Sequence, residues 1–262
     1  MLKNLIKYDV KKMTFTLPYF YLATIVFAGL TRFINIWKDI QFFFILGQIF
    51  QGTTIALIVN SLVNTLISIL IRSFRFSFYG DESYLTHTLP VSKKQLLLSK
   101  FISSLIVLFA TILVTVASLL IIFYSSDLVN FIKEGLSVMV IGLDISVGGL
   151  IALFVLAVFF QLLSMLLTGF AAIVKGHSYN NGKIGKSFTW FAIFYVVQGM
   201  LSIALVALVL LVSGNISEIF ATVMKAQTFI TILVTATVVY LGYAIAFYFI
   251  TYKMFNKGVN VD

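Results

Sequence analysis

The sequence predicts an all-α membrane protein of six transmembrane helices with an N-terminal amphipathic interfacial helix. Three observations lead there. Of the 262 residues, 61% are apolar and only 10% are charged, against about 25% charged in ordinary soluble domains. So few polar side chains do not coat a water-facing surface. The apolar residues fall in six runs near the roughly 20 residues needed to cross hydrocarbon. None of these runs carries an Asp, Glu, Lys or Arg in its interior. The runs are continuous rather than alternating, which argues against barrel strands. A mean hydropathy of +1.08 excludes disorder. The absence of cysteine excludes thiolate metal sites, cysteine nucleophiles and a disulfide-stapled secreted fold. The chain reads as one transmembrane domain over 1–262.

Residues 1–13 open with LKNLIKYDVKKM from position 2. Leu2, Leu5, Ile6, Val10 and Met13 recur at helical spacing, with Lys3, Lys7, Lys11 and Lys12 on the other faces. This predicts a helix lying flat on the membrane surface; the plainer alternative is a charged leader that only sets orientation. The first span covers 15–30. Its apolar part is too long for a cleaved signal peptide, and no small-x-small site follows it.

The second span, 42–71, is long. At 1.5 Å per residue it reaches about 45 Å, against a hydrocarbon core of about 30 Å. It therefore tilts or runs beyond the lipid. Asn60, Asn64, Ser68 and Arg72 stand four apart on one of its faces. Amides avoid lipid, so this stripe faces either another helix within the fold, a second subunit, or a cargo path.

The loop that follows reads RSFRFSFYGDESYLTHTLPVSKKQLLLSK from Arg72 to Lys100. Gly80 and Asp81 break the helix. Asp81, Glu82 and Ser83 offer N-terminal caps to a short helix through Tyr84, Leu85, Thr86 and about Leu89. Pro90 ends it. Ser92 then caps the helix that becomes the third span, 101–124. A short helix carrying Tyr84, Leu85 and Leu89 in a charged loop is an apolar knob suited to docking; the alternative is a plain connection between spans. Residues 127–144 and 215–227 are amphipathic and too polar to span, and read as short external or half-inserted helices. Between and after them lie the spans 145–174, 188–212 and 228–252. In the last, Gly242 and Ala246 form a small-xxx-small pair of the kind that lets helices pack closely.

Charge orients the chain. Lys3, Lys7, Lys11, Lys12, Arg72, Arg75, Lys93, Lys94, Lys100, Lys175, Lys183, Lys186, Lys253 and Lys257 fall on one side, fourteen of the 18 Lys and Arg. Arg32, Lys38, Lys133 and Lys225 fall on the other. The positive-inside rule places both termini in the cytoplasm. The net charge of +9 then reflects topology and contact with anionic lipid rather than nucleic acid.

Catalytic sets are missing from this reading. Gly185-Lys186-Ser187 resembles the end of a P-loop, but Asn180 stands where the leading glycine belongs and no strand precedes it. His87 and His177 lie in separate loops, no metal-ligand spacing is seen, and the spans hold no ionisable residue for ion coupling. No catalytic residue, metal or bound cofactor is expected of this chain. Any uphill transport needs energy from a partner.

These features together resemble the type-2 ABC exporter permeases. The most specific stretch is Glu82-Ser83-Tyr84-Leu85-Thr86 through Leu89-Pro90-Val91-Ser92-Lys93 and Ser99-Lys100. It is similar to the E-x-Y-L-T, L-P-V-S and S-K run of small bacterial permeases of that family, and Leu5-Ile6-Lys7-Tyr8-Asp9 is similar to their N-terminal lead. The resemblance covers nearly the whole chain. It implies the membrane subunit of an exporter in a bacterial cell membrane, paired with a second like or unlike permease and with two ABC ATPase subunits that bind ATP and Mg. Gly80 to Pro90 would be the coupling helix that receives the ATPase stroke. An amphipathic or apolar cargo, a peptide above all, suits the apolar spans. The competing class is a sensor, immunity or assembly factor with no ATPase.

Overall fold

The computed structural model describes residues 2–123, 146–214 and 225–257. The two segments expected to form external helices, 127–144 and most of 215–227, lie outside the described residues. Every regular element described is helical. Six helices are long and apolar enough to cross a membrane, so the chain is a multi-pass α-helical membrane protein.

Two compact units make up the chain, the first ending at Leu128 and the second starting at Val129. The first holds α1 (Leu2–Met13), α2 (Leu17–Ile34), α3 (Gln41–Ile67), α4 (Ser83–Thr88) and α5 (Lys93–Phe123). The second holds α6 (Val147–Gly176), α7 (Lys183–Val212) and α8 (Ala226–Asn256).

In the first unit, α2 starts with Pro18 in its first turn, where a missing N–H leaves no bond unmade. The helix runs to Ile34 and a 3-10 turn, Asn35–Trp37, so the span extends past the expected end at 30. The chain then reverses into α3, which packs along α2. Gly47 permits the close approach: a Cβ there would fall 2.4 Å from Asn35 Oδ1. Hydroxyls knit the bundle. Thr31 and Thr54 share a hydrogen bond at 2.9 Å, and Thr111 of α5 bonds both Tyr21 of α2 (2.6 Å) and Thr65 of α3 (3.0 Å). Apolar residues gain nothing by leaving lipid for a helix interface, so such small polar contacts supply specificity.

The second span is not a plain α-helix to its end. After Ile67 it continues as a π-helix, Ser68–Arg75, and a closing turn, Phe76–Phe78. The helical element therefore carries on well beyond 71. The third span likewise starts early, at Lys93, with Ser92 as its cap: Gln95 N–H donates to Ser92 Oγ (3.3 Å) while Ser92 N–H donates to Gln95 Oε1 (3.4 Å).

In the second unit α6 packs against both α7 and α8. The α6–α7 corner is tight. A Cβ on Gly176 would lie 2.5 Å from Ser187 Cα and from Ser187 N, so only glycine fits. Gly182, at φ +67°, caps the start of α7 in the left-handed region. Midway along, Gln198 Nε2 donates to Thr168 Oγ1 (2.8 Å), and the Tyr243 hydroxyl donates to the Gln198 carbonyl (3.2 Å). Phe194 and Phe247 pack edge to face at 5.4 Å.

Candidate functional site

The expected short helix between the second and third spans exists. α4 spans Ser83–Thr88. Leu89 after it is extended, as the residue before a proline must be, and Pro90 blocks further turns. Tyr84 and Leu85 are 69% and 74% exposed and Leu89 is 42% exposed, while Ser83 is fully buried. The helix therefore shows an apolar face to its surroundings and holds on by the other. A groove of about 450 Å³ runs between it and α1, lined by Leu5, Tyr8, Leu85, Thr86, Leu89 and Pro90 among others.

One detail differs from the sequence reading. Glu82 occupies the N-cap position but its side chain makes no capping bond. Its carboxylate is taken by Lys12 of α1 and by the Ser77 hydroxyl (3.4 Å), and an ion pair outweighs a neutral cap. Glu82 is thus engaged within the chain. Gly80, expected to break the helix, also makes a close contact with the preceding turn. Its Cβ would sit 3.1 Å from Phe76 Cα and 3.2 Å from the Phe76 carbonyl oxygen.

Beneath α4 lies a cluster that the sequence reading missed. Asp9 and Lys100, each with a side chain only 5% exposed, form an ion pair at 2.5 Å. Ser99 Oγ donates to the other Asp9 oxygen at 3.1 Å. Lys100 Nζ also donates to Ser77 Oγ (3.0 Å), and Lys12 Nζ donates to the same oxygen (3.2 Å). Ser77 then gives its own proton toward Glu82. One hydroxyl thereby uses both lone pairs and its hydrogen. Two acids face two lysines, so the cluster is charge-balanced where desolvation would punish a surplus. It joins α1, the end of the second span, the turn before α4 and the start of the third span.

The surrounding rings close it off. Lys100 Nζ lies 5.7 Å from the Phe78 ring centroid, and His87 stacks on Phe78 while its Nε2–H donates to the Phe78 carbonyl (3.2 Å). Tyr79 is 1% exposed, and burial pushes its phenol above the ordinary value, so it stays neutral.

The stripe on the second span divides. Ser68 Oγ donates to the Met13 carbonyl (3.1 Å) and Arg72 Nη1 to Thr16 Oγ1 (3.0 Å), so both tie the span to the α1–α2 corner. Asn64 instead donates to Asn60 Oδ1 (2.7 Å) and to the Asn60 carbonyl (2.9 Å). Asn60 is exposed, and Asn64 half-buried. Gly242 and Ala246 are exposed as well, with nothing within 4 Å of a Cβ built on Gly242. Within this chain α8 packs through Ala244 and Phe247 instead.

Comparison with protein families, curated proteins and solved structures finds no match to this chain. Among the described residues no three His, Asp or Glu converge on one point. What the arrangement does offer is mechanical: an exposed apolar helix whose N-cap residue Glu82 joins a cluster of charges and hydroxyls shared by α1, the end of the second span and the start of the third. An asparagine pair that satisfies itself on an exposed helical face adds a polar contact surface at membrane depth.

Proposed function

We propose that this chain is the membrane subunit of an ATP-driven ABC exporter, in which α4 docks on a separate ATPase subunit and carries its stroke into the membrane. One observation supports this above the others: α4 is exposed on its Tyr84 and Leu85 side, while its N-cap residue Glu82 is ion-paired to Lys12 of α1 and linked through the Ser77 hydroxyl, at the end of the second span, to Lys100 at the start of the third. A force applied to such a helix passes to the spans without being absorbed by a loose loop. In this reading ATP and Mg reside on the ATPase, two permease subunits of one or two kinds face each other, and the exposed Asn60–Asn64 face meets the second subunit or the cargo. The lysine-rich side, with both termini, lies in the cytoplasm of a bacterial cell. The apolar spans suit an amphipathic cargo such as a peptide.

The test is purification of the tagged full chain from the membranes of its own host, followed by mass spectrometry and a vanadate-sensitive ATP hydrolysis assay. The proposal expects an ATPase with an intact P-loop at one copy per permease subunit, and hydrolysis that follows it through size exclusion. A chain that purifies alone and supports no hydrolysis is a sensor, immunity or assembly factor, and the exporter reading falls.

A further inference from the structure

Beside the ion cluster, α1 and the π-helical end of the second span meet at a largely apolar pocket flanked by basic side chains and separate from the α4 face. Its volume is about 410 Å³, and its lining is Tyr8, Lys11, Lys12, Phe15 and Arg72. The position of Arg72 is fixed. Its Nη1 donates to Thr16, and four residues earlier Ser68 bonds the Met13 carbonyl, so two contacts pin the π-helix to the α1–α2 corner. Ser68 and Arg72, four apart on one face, thus meet that corner together, and π-helical segments are often found at functional sites.

The charges do not balance here. Lys12 is matched by Glu82. Lys11 and Arg72 have no carboxylate partner among the described residues. Two uncompensated cations from different elements thus face one pocket. Its rim is apolar: Phe15 is 76% exposed and Tyr8 61% exposed. Phe15 opens the first apolar run and Arg72 bonds Thr16 beside it, so the pocket sits at the edge of a span, where hydrocarbon gives way to headgroups. Aromatic rings favour that depth, and a guanidinium with an ammonium is suited to a phosphate.

We propose that this pocket binds one anionic diacyl phospholipid, with Lys11 and Arg72 on the phosphodiester, Tyr8 at the headgroup and Phe15 against the acyl chains. A zwitterionic headgroup is disfavoured, because it brings its own cation toward two others. A small free anion would satisfy the cations but leave the aromatic rim unused. The site stands independently of the exporter reading, since it needs no ATPase.

Native mass spectrometry of the detergent-purified full chain, titrated with phosphatidylglycerol or phosphatidylcholine, tests this. One phosphatidylglycerol should be retained in clear preference to phosphatidylcholine. Each charge removed should weaken that binding about fivefold, roughly thirtyfold for Lys11→Gln with Arg72→Gln, from the usual contribution of a basic residue near an anionic surface. Lys11 is exposed, so Lys11→Gln alone keeps the test valid if the double variant fails to fold. Lys253→Gln with Lys257→Gln removes equal charge elsewhere and should leave the affinity unchanged. The inference is overturned if Lys11→Gln binds like the parent, if the control pair weakens binding equally, or if phosphatidylcholine is retained as well. Millimolar glycerol 3-phosphate should compete poorly; displacement at concentrations comparable to the lipid would mark a small-anion site and overturn the lipid assignment.

Discussion

Single side chains decide much of the first unit. Asp9 stands on the apolar stripe of α1, four residues after Leu5 and four before Met13. An acid there needs a buried cation, and Lys100 is that cation. Removing one partner leaves an uncompensated charge away from water, at about 3–5 kcal/mol. Asp9→Leu and Lys100→Met should therefore each destabilise the protein strongly in detergent. The double variant, which removes both charges and fills the space, should lose less than either single. Thermal unfolding followed by tryptophan fluorescence reads all three, and a double variant worse than both singles would show that the pair is not the source of the effect. Glycines make a second contrast. Gly176→Ala forces a Cβ against the Ser187 backbone and should cost about 1–3 kcal/mol by overpacking. Gly242→Ala meets open space, so the fold should tolerate it. If the two behave alike in the same assay, the tightness of the α6–α7 corner is not what glycine serves there.

Individual helices were readable wherever one local signal dominated. Apolar runs without charges mark the six spans, because nothing else satisfies a backbone in lipid. Ser92 and Pro90 mark a start and a stop through their own geometry. The extra turns of the second span were not readable, since a π-helix shares the composition of an α-helix and differs only in which carbonyl each N–H meets. The ion cluster was hidden for another reason: Lys12 and Lys100 sit among lysines that the charge bias alone accounts for, and their partners lie 70 and 91 positions away along the chain. The one legible sign was Asp9 on an apolar face. α4 illustrates both cases. Its bounds followed from Gly80 and Pro90, while its attachment through Glu82 did not. A prediction follows from that attachment. Tyr84→Asp with Leu85→Asp changes only exposed positions, so membrane insertion and thermal stability should stay within about 0.5 kcal/mol of the parent. ATPase binding should be lost or hydrolysis uncoupled from export, because charges buried in a docking cleft cost several kcal/mol. Intact binding and intact export in this variant would remove α4 from the coupling role.

For the whole molecule the proposed coupling turns on which side of the membrane α4 occupies. Coupling by α4 works only if α4 lies in the cytoplasm, and the sequence argues this through fourteen basic residues on the α4 side against four on the other. The chain contains no cysteine, so single introduced thiols report orientation without background. Leu85→Cys on α4 and Lys257→Cys after α8 are both at exposed positions of the lysine-rich side, and Lys38→Cys is exposed at the turn between the first two spans. In intact cells a membrane-impermeant maleimide should label Lys38→Cys and leave the other two unmodified. After permeabilisation all three should react. An even number of spans also demands that position 257 and α1 lie on one side, so an N-terminal thiol at Lys3→Cys must follow Lys257→Cys in both conditions. The reverse pattern, with Leu85→Cys labelled from outside, would place α4 beyond the reach of any cytoplasmic ATPase. The ion-paired knob would then be an extracellular docking element, and the charge bias would have failed as a guide to orientation. Labelling at Lys3→Cys and Lys257→Cys from opposite sides would instead show that one of the six apolar helices does not cross.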